Sequence, residues 1–263
     1  MTGPGEGRSA ASELLRWGTA RLPAHEARLL LEWVLHVDSL LMVQSVGPTQ
    51  KRRYQIAVEM RLMKFPLQHI TGEAWFRGIR LKVGPGVFIP RPETEMLVEY
   101  ALHVPNVKRA VDLCSGSGAI ARCLAEAGKD VVAVEISERA LPFTRQNLTG
   151  TNAKVLNADA LHFESDSFDL VVSNPPYVDA PVLKDVLFDP DLALYGGGQG
   201  GMSFPAALIR HAASLLRPGG CLLMEHGETQ GPTLLGVAAK AGYVSFQTLT
   251  DLAGRPRFLK ATC

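Results

Sequence analysis

Apolar residues recur at helical spacing over the first quarter of the chain. Between residues 9 and 65 they stand three or four positions apart, with almost no strand-like alternation. Examples are Ala27, Leu30, Leu31, Val34 and Leu35. Pro66 interrupts this pattern, because proline breaks the interior of a helix. The sequence therefore predicts a small helical bundle over residues 1–65.

A different pattern follows in residues 66–92, which are rich in Gly, Pro and aromatic side chains. Apolar and polar positions alternate around Trp75 and Phe76 and again over residues 79–83. Alternation with a period of two is typical of strands, and the short turn between the two runs favours a hairpin. We predict that this segment is a β-hairpin linking two domains.

The pattern changes again over residues 93–263, where short β-branched runs alternate with helix-like segments. The runs are residues 110–113, 131–136, 155–156, 169–172 and 221–224. Such alternation predicts an α/β fold with a parallel, doubly wound sheet. Two further runs, residues 243–249 and 257–261, are joined by a turn too short for a crossover helix. We expect these two to form an antiparallel pair at the edge of the sheet.

Composition narrows the class of protein. With 263 residues, of which 46% are hydrophobic, the chain can bury a sizeable core. A net charge of +1 argues against a dedicated nucleic-acid binder, so no stable nucleic-acid partner is expected. The four cysteines form no Cys-x-x-Cys pair, which argues against a metal site and against a disulfide framework. Since no stretch reaches the length of a membrane span, we expect a cytoplasmic protein, working as a monomer.

The segment Cys114-Ser115-Gly116-Ser117-Gly118 joins a predicted strand to a helix-like run. A Gly-rich turn at this place in an open α/β sheet lets a nucleotide approach the backbone. We assign these five residues, and Asp112 on the preceding strand, to cofactor binding. The same pattern also fits a nicotinamide dinucleotide site, and a Gly-rich loop can simply turn the chain.

Acidic residues end the next two predicted strands. Glu135 can accept hydrogen bonds from both hydroxyls of a ribose, which implies a cofactor that carries a nucleoside. We place its neighbour Ile136 in the same site. Asp159 could accept a hydrogen bond from an adenine amino group, although it is equally suited to cap a helix beginning near Leu161.

A buried-strand run ends abruptly in Asn174-Pro175-Pro176-Tyr177, the most specific feature of the chain. The two prolines lack N–H donors and stiffen the turn, so the acceptors that remain are the Asn174 side-chain oxygen and the Pro175 carbonyl. A planar NH2 group could donate one hydrogen to each, while Tyr177 packs on its flat face. We assign substrate binding to all four residues and catalysis to Asn174, Pro175 and Tyr177.

This grip suits an amide or an exocyclic amine. An amide nitrogen is a poor nucleophile because its lone pair is delocalised. The rate must come from positioning and from acceptors that stabilise the positive charge developing on nitrogen. Once methylated, the nitrogen is acidic enough to lose its proton to water or to a carbonyl. We therefore assign no catalytic base. The arrangement suits in-line transfer of a methyl group from a sulfonium.

With these motifs in place, the chain resembles the release factor glutamine methyltransferase family. The further matching strings are Pro66-Leu67-Gln68-His69-Ile70-Thr71-Gly72, Pro85-Gly86-Val87-Phe88-Ile89-Pro90-Arg91-Pro92-Glu93-Thr94-Glu95 and residues 251–257. The resemblance covers most of the chain, although Cys114 stands where Gly is usual and Asp189 where Glu is usual. It implies a seven-stranded, Rossmann-like methyltransferase domain, expected here over residues 93–263, behind a helical domain that docks the substrate.

The resemblance also implies a reaction. A member of this family transfers a methyl group from S-adenosylmethionine to the side-chain nitrogen N5 of the glutamine in the Gly-Gly-Gln motif of peptide-chain release factors, and S-adenosylhomocysteine is the product. It implies substrate contacts at residues 174–177. It further implies cofactor contacts at residues 114–118, Glu135, Ala160 and Asn174. Release factors are accordingly the expected partners.

Arg91 and Glu93 precede the predicted methyltransferase domain. Our hypothesis is that they hold the hairpin beside the mouth of the site and help to dock the substrate. The alternative is an ordinary helix start, in which Pro92 takes the first position and the acidic side chain favours the helix N-terminus. Both interpretations can hold together.

Three other functions stay open from the sequence. An adenine N6-methyltransferase acting on DNA or RNA would grip the adenine amine with the same two acceptors. A module that binds the cofactor and only docks on the translation machinery would leave the acceptor motif without use. A nicotinamide-dependent dehydrogenase would leave Asn174 to Tyr177 without a role.

Overall fold

The computed structural model describes residues 10–43, 45–165, 167–179 and 188–263. The chain divides into two compact units, one ending at Gly72 and the other running from Glu73 to Cys263. Each unit has a buried apolar core of its own. Within the described ranges no helix combines the length and apolar character that crossing a membrane requires.

The smaller unit is helical, as the apolar spacing predicts. It contains α1 (Ala10–Thr19), α2 (Ala24–Leu35), α3 (Pro48–Leu62), α4 (Leu67–Thr71) and a 3-10 helix at Leu40–Met42. Tyr54 of α3 is buried against α2, and its hydroxyl donates to the Ala27 carbonyl over 3.0 Å. Glu26 and Arg61 join the same two helices through two hydrogen bonds of 2.8 and 2.9 Å.

The boundary between the units falls after Gly72, whereas the sequence places it after residue 65. Pro66 does end the helical pattern, but it takes the N-cap position of α4, where a missing N–H breaks no helical hydrogen bond. Ile70 of α4 is buried in the same core as α2 and α3. Residues 66–72 therefore extend the helical unit.

The predicted β-hairpin is present and belongs to the larger unit. β1 (Glu73–Phe76) and β2 (Ile79–Lys82) pair in antiparallel fashion. Phe76 and Leu81 are buried in the core of the larger unit. The side chain of Asn147 bonds to both the N–H and the carbonyl of Lys82, over 2.7 and 2.8 Å, and this fixes the hairpin further.

A seven-stranded sheet forms the framework of the larger unit. Its strands are β3 (Arg109–Leu113), β4 (Asp130–Glu135), β5 (Lys154–Asn157), β6 (Phe168–Ser173), β7 (Leu216–Glu225), β8 (Ser245–Thr250) and β9 (Pro256–Thr262). They lie in the order β5-β4-β3-β6-β7-β9-β8. β3 to β7 pair in parallel, whereas β9 pairs antiparallel with β7 and β8. The predicted doubly wound sheet and antiparallel terminal pair are both confirmed.

Helices cover both faces of this sheet. The helices of this unit are α5 (Thr94–Leu102), α6 (Ala119–Glu126), α7 (Leu141–Leu148), α8 (Asp191–Leu194), α9 (Ser203–Leu215) and α10 (Gly231–Lys240), with a 3-10 helix at Gln199–Gly201. Successive strand residues point to opposite faces, so Ala110 packs in the core that contains Leu97 and Val111 in the core that contains Leu208. Burial on both faces explains why the central strands read as continuous apolar runs.

The strand order brings the predicted site residues to one edge of the sheet. β4, β3 and β6 are neighbours and run parallel, so their carboxyl ends lie side by side. The Gly-rich turn follows β3, Glu135 ends β4, and Asn174 follows β6. This edge is where ligands bind in open α/β sheets.

Candidate active site

A cavity of about 410 Å³ opens at this edge of the sheet. Most of the predicted site residues line it: Cys114, Ser115, Gly116, Ser117, Glu135, Ile136, Asp159, Ala160, Asn174, Pro175, Pro176 and Tyr177. Four predicted residues are not among its lining: Asp112, Gly118, Arg91 and Glu93. The structure thus brings the turn, the strand-end acids and the Asn-Pro-Pro-Tyr loop around one space.

The turn between β3 and α6 is left-handed at three positions. Gly116 has a φ of 55° and Gly118 a φ of 80°, values that glycine adopts without strain. Cys114 has a φ of 62°, which is unfavourable for a residue with a Cβ. A Cβ on Gly118 would lie 3.3 Å from Thr144 Cγ2, so this glycine permits close packing of α6 on α7 rather than contact with the cavity.

Asp112 lies behind the turn and is fully buried. One carboxylate oxygen accepts a hydrogen bond from the N–H of Ala121 over 3.0 Å, in the first turn of α6. The other oxygen has no hydrogen-bond partner within the described ranges. Burial raises the pKa of Asp112 to about 8, and the nearby charge of Glu135 adds to the rise. Asp112 therefore supports the helix that follows the turn and does not face the cavity.

Glu135 is held by backbone donors on both of its oxygens. The N–H groups of Gly116 and Ser137 each donate to it over 2.7 Å. Burial raises the pKa of this carboxyl, and the backbone hydrogen bonds oppose the rise. Because each oxygen can accept more than one hydrogen bond, the carboxylate keeps acceptor capacity toward the cavity.

Asp159 fits both of the roles that the sequence allows. It lines the cavity, and its Oδ1 accepts a hydrogen bond from the N–H of Leu161 over 2.9 Å. His162 lies 2.8 Å from its other oxygen. These contacts, first of all the backbone hydrogen bond, lower the pKa of Asp159, so its side chain is a stable acceptor at the cavity wall.

The part of the chain that the structure describes holds the Asn174 amide through its nitrogen. Its nitrogen Nδ2 donates to the hydroxyl of Thr94 over 3.2 Å, and none of the residues described donates to its Oδ1. The Pro175 carbonyl likewise receives no hydrogen bond from the described part of the chain. Both of the predicted acceptors are thus available in the residues that line the cavity.

Tyr177 is fixed at both its ring and its backbone. The hydroxyl donates to Glu225 Oε1 over 2.8 Å, and the carbonyl accepts a hydrogen bond from Gln230 Nε2 over 2.8 Å. Gln230 also donates to the carbonyl of Gly200 over 2.7 Å, which ties this loop to the segment before α9. The position of the ring is therefore set by side chains outside the Asn-Pro-Pro-Tyr motif.

Sequence reasoning missed three residues that hold this loop: Thr94, Glu225 and Gln230. Thr94 is buried at the start of α5 and also lines the cavity. Glu225 is buried at the end of β7. Burial raises the pKa of its carboxyl, whereas hydrogen bonds from Thr94 and Tyr177 and the charge of Arg257 oppose the rise. A signal existed for Thr94, which lies in one of the matching strings, but not for the other two.

Arg91 and Glu93 are engaged in ion pairs next to the cavity-lining segments. Arg91 pairs with the nearly buried carboxylate of Asp189, and its guanidinium lies 5.0 Å from the centre of the Phe88 ring. Glu93 lies 3.7 Å from the guanidinium of Arg255. Phe88, which the sequence did not select, lines the cavity, as do Pro90 and Pro190 on either side of the Arg91 pair.

Among the described residues, no group of three or more His, Cys, Asp or Glu side chains is arranged to hold a metal ion. Among the described residues that line the cavity, the charged ones are Glu135 and Asp159. The cavity therefore offers hydrogen-bond acceptors to a ligand: two carboxylates on one side, and the Asn174 amide with the Pro175 carbonyl on the other.

Two family models match the chain. The methyltransferase small domain matches residues 79–188, and the PrmC N-terminal domain matches residues 13–72. The second match ends at the same residue as the helical unit of the structure.

Curated relatives align over most of the chain. The release factor glutamine methyltransferase of Bifidobacterium longum is 39% identical, and the alignment covers 95% of this chain and 96% of the relative. That of Streptomyces coelicolor is 43% identical over 80% of each chain. That of Deinococcus radiodurans is 37% identical over 95% of this chain and 97% of the relative.

Solved structures agree on the fold. A T. thermophilus 16S rRNA N2 G1207 methyltransferase in complex with AdoMet and guanosine aligns with a TM-score of 0.53 and 25% identity, covering 72% of this chain and 49% of that one. A methyltransferase from Pyrococcus furiosus aligns with a TM-score of 0.55 and 18% identity, over 82% of this chain and 98% of that one. With the two family models and the full-length relatives, these alignments lead to one assignment. The chain belongs to the release factor glutamine methyltransferase family.

Proposed function

We propose that this protein transfers a methyl group from S-adenosylmethionine to the side-chain nitrogen N5 of the glutamine in the Gly-Gly-Gln motif of release factors. One observation supports the proposal most directly: the Asn174 amide oxygen faces no donor of the described chain, in a loop that lines the cavity. The names of the full-length relatives supply the substrate class. A dehydrogenase is no longer a competing interpretation, because the family is one of methyltransferases.

The residues around the cavity fit the cofactor. Gly116 adopts a positive φ and has no side chain, so a ligand can approach the backbone of the turn. No atom lies within 4 Å of the position that a Cβ on Gly116 would take. Glu135 has acceptor capacity for the hydroxyls of a ribose, and Asp159 can accept from an adenine amino group. When bound, S-adenosylmethionine supplies an electrophilic methyl group on a sulfonium.

Asn174 and Pro175 would hold the substrate amide. Asn174 Oδ1 accepts one hydrogen of the NH2 group and the Pro175 carbonyl accepts the other, which turns the nitrogen lone pair toward the methyl donor. Tyr177 packs on the flat face of the amide. The two acceptors would also stabilise the positive charge that develops on the nitrogen as the methyl group passes to it from the sulfonium sulfur. The extra proton then leaves to water, so no side chain has to act as a base.

Other parts of the chain serve the substrate protein in this proposal. Arg91, held by Asp189, and Glu93 lie next to segments that line the cavity, and we assign them to docking of the release factor. We assign a second docking surface to the helical unit up to Gly72, which the PrmC N-terminal model matches over residues 13–72. A net charge of +1 favours a protein substrate over a stable nucleic-acid partner. We further propose that the enzyme is a cytoplasmic monomer.

Mass spectrometry tests the substrate. Purified release factor and, separately, adenine-containing DNA and RNA are incubated with the protein and methyl-labelled S-adenosylmethionine. A single added methyl group on the Gly-Gly-Gln glutamine is the expected result, and a variant release factor with that glutamine changed to alanine is the matched control. Label on adenine alone would replace the proposal with a base methyltransferase, and label on none of the three would refute methyl transfer to either class.

A further inference from the structure

A chain of hydrogen bonds runs from Asn174 to a buried carboxylate outside the motif. Asn174 Nδ2 donates to Thr94 Oγ1 over 3.2 Å, and the Thr94 hydroxyl donates to Glu225 Oε2 over 2.8 Å. The second oxygen of Glu225 accepts from the Tyr177 hydroxyl over 2.8 Å. Glu225 is therefore hydrogen-bonded directly to Tyr177 and linked to Asn174 through Thr94.

The fold explains why these groups meet. β6 and β7 are parallel neighbours in a register that pairs Ser173 with Met224. The next residue on each strand is then Asn174 on one and Glu225 on the other, at the same edge of the sheet. Thr94 reaches this edge as the first residue of α5. The three residues come from distant parts of the chain: Thr94 and Glu225 are buried, and Asn174 lies between them and the cavity that it lines.

The donors and acceptors in this series of hydrogen bonds fix its direction. The hydroxyl of Thr94 carries a single proton, and it donates this proton to Glu225 Oε2, while Glu225 Oε1 accepts from the Tyr177 hydroxyl. Because that proton is given to Glu225, Thr94 can offer only lone pairs to Asn174. The NH2 end of the Asn174 amide must then face Thr94, and the oxygen must face away from it. A flipped amide would set the oxygen of Asn174 against the oxygen of Thr94 with no proton between them.

We propose that Glu225 and Thr94 are positioning residues that set the polarity of the Asn174 amide. This inference rests on the proposed function, since it makes Asn174 Oδ1 the acceptor for the NH2 group of the substrate. Amide oxygen and nitrogen have nearly the same size, so packing alone does not select between the two orientations. A flipped Asn174 would present donors to the donors of the substrate, and the grip would be lost. Glu225 fixes the ring of Tyr177 through its second oxygen.

Substitutions of Glu225 and Thr94 test this positioning role. Glu225→Gln keeps the side-chain shape, but one of its two ends becomes a donor, so either Thr94 or Tyr177 must reverse its hydrogen bond. Thr94→Val removes the hydroxyl at similar size, and Thr94→Ser is the matched control that retains it. We expect Glu225→Gln and Thr94→Val to lower kcat about 10-fold, as for loss of one preorganising hydrogen bond, with both KM values nearly unchanged. Thr94→Ser should stay close to the unmodified protein.

A double variant separates positioning from a general structural effect. If Thr94 acts through Asn174, adding Thr94→Val to Asn174→Ala lowers kcat no further than Asn174→Ala alone. The inference would be overturned if the two substitutions multiplied their losses of kcat in the double variant. It would also be overturned if kcat were unchanged in both Glu225→Gln and Thr94→Val, or if only KM rose. Should Thr94→Val fail to fold, Glu225→Gln and Thr94→Ser still decide. If Asn174→Ala itself has normal turnover, the fault lies with the proposed grip, and the positioning role falls with it.

A readout independent of turnover is the side-chain NH2 signal of Asn174, followed by NMR in protein labelled at asparagine. We expect slowed hydrogen exchange of this group in the unmodified protein and in Thr94→Ser, and fast exchange in Thr94→Val. Equal exchange in all three proteins would show that Thr94 does not hold the amide.

Discussion

Two stretches of chain line the same cavity but are fixed in different ways. The turn at residues 114–118 is fixed by left-handed backbone angles and by the next strand and helix along the chain. Glu135 accepts from the N–H of Gly116, and Thr144 and Asn147 donate to the carbonyls of Gly116 and Ser117. The loop at residues 174–177 is fixed by side chains far along the chain, through Thr94, Glu225 and Gln230. A turn that only has to let a ligand approach needs backbone shape, whereas a grip on an NH2 group needs acceptors with a defined polarity.

The two stretches should therefore fail in different ways. Changes in the turn and in Glu135 are expected to alter cofactor affinity and the stability of the fold. Changes in the loop are expected to alter turnover, with cofactor affinity kept.

The largest effect is expected in the loop. Asn174→Ala removes an acceptor that stabilises charge on the substrate nitrogen, so kcat should fall roughly 10²-fold. The dissociation constant of the cofactor, measured by calorimetry, should change little. Asn152→Ala, which alters an exposed asparagine between α7 and β5, is the control and should leave both quantities unchanged. Near-normal turnover in Asn174→Ala, or weaker cofactor binding of the same size as the loss in kcat, would break the division.

The next effect is expected at the cofactor side. Glu135→Gln removes the charge and one acceptor oxygen while keeping the size of the side chain. Loss of a charge-assisted hydrogen bond should raise the dissociation constant of S-adenosylmethionine about 10-fold, and kcat at saturating cofactor should change little. Glu138→Gln makes the same change at an exposed position three residues later and serves as the control. If Glu135→Gln lowered kcat while leaving cofactor affinity intact, Glu135 would belong to the chemistry instead.

The same contrast explains which parts of the structure can be predicted from the sequence. The parallel sheet, the hairpin and the antiparallel terminal pair follow from local periodicity and short connections, and the structure confirms them. Likewise the Gly-rich turn and Glu135 can be read from neighbouring residues, since glycine is needed where φ is positive and an acid follows the next strand. These signals lie within single elements or between adjacent ones.

Two of the residues that hold the loop, Glu225 and Gln230, carry no such signal. Glu225 ends a strand of the core, and nothing local distinguishes it from an acid exposed to solvent. Its meaning depends on the register of β6 and β7, which pairs Ser173 with Met224 and so sets Glu225 beside Asn174. In the same way, burial removes Asp112 from the cavity although its sequence position suggests a ligand contact. Register and burial are properties of the assembled sheet.

A smaller effect is expected from Asp112 behind the turn. Its pKa is raised from 3.8 to about 8, so the folded state holds a proton that the unfolded chain releases. Stability from this group is complete below pH 4 and is lost as the pH rises toward 8. The free energy of unfolding should therefore fall, relative to Asp112→Asn, by at most about 1.4 kcal/mol per pH unit within this window. Urea unfolding at pH 5, 6 and 7 measures the difference, and parallel curves for the two proteins would refute the raised pKa.

The smallest effect concerns Cys114, the residue of the turn that carries a Cβ at positive φ. At a φ of 62° any side chain is strained, and glycine is not. Cys114→Ala keeps the Cβ and hence the strain, so it is the proper reference for Cys114→Gly. The glycine variant should be the more stable of the two by up to about 1 kcal/mol, because relief of strain exceeds the greater freedom of glycine in the unfolded chain. Thermal unfolding without cofactor measures this difference. If the alanine variant were equally stable, the backbone at this position would have to relax on its own. The turn would then depend less on its left-handed angles than on its bond to Glu135.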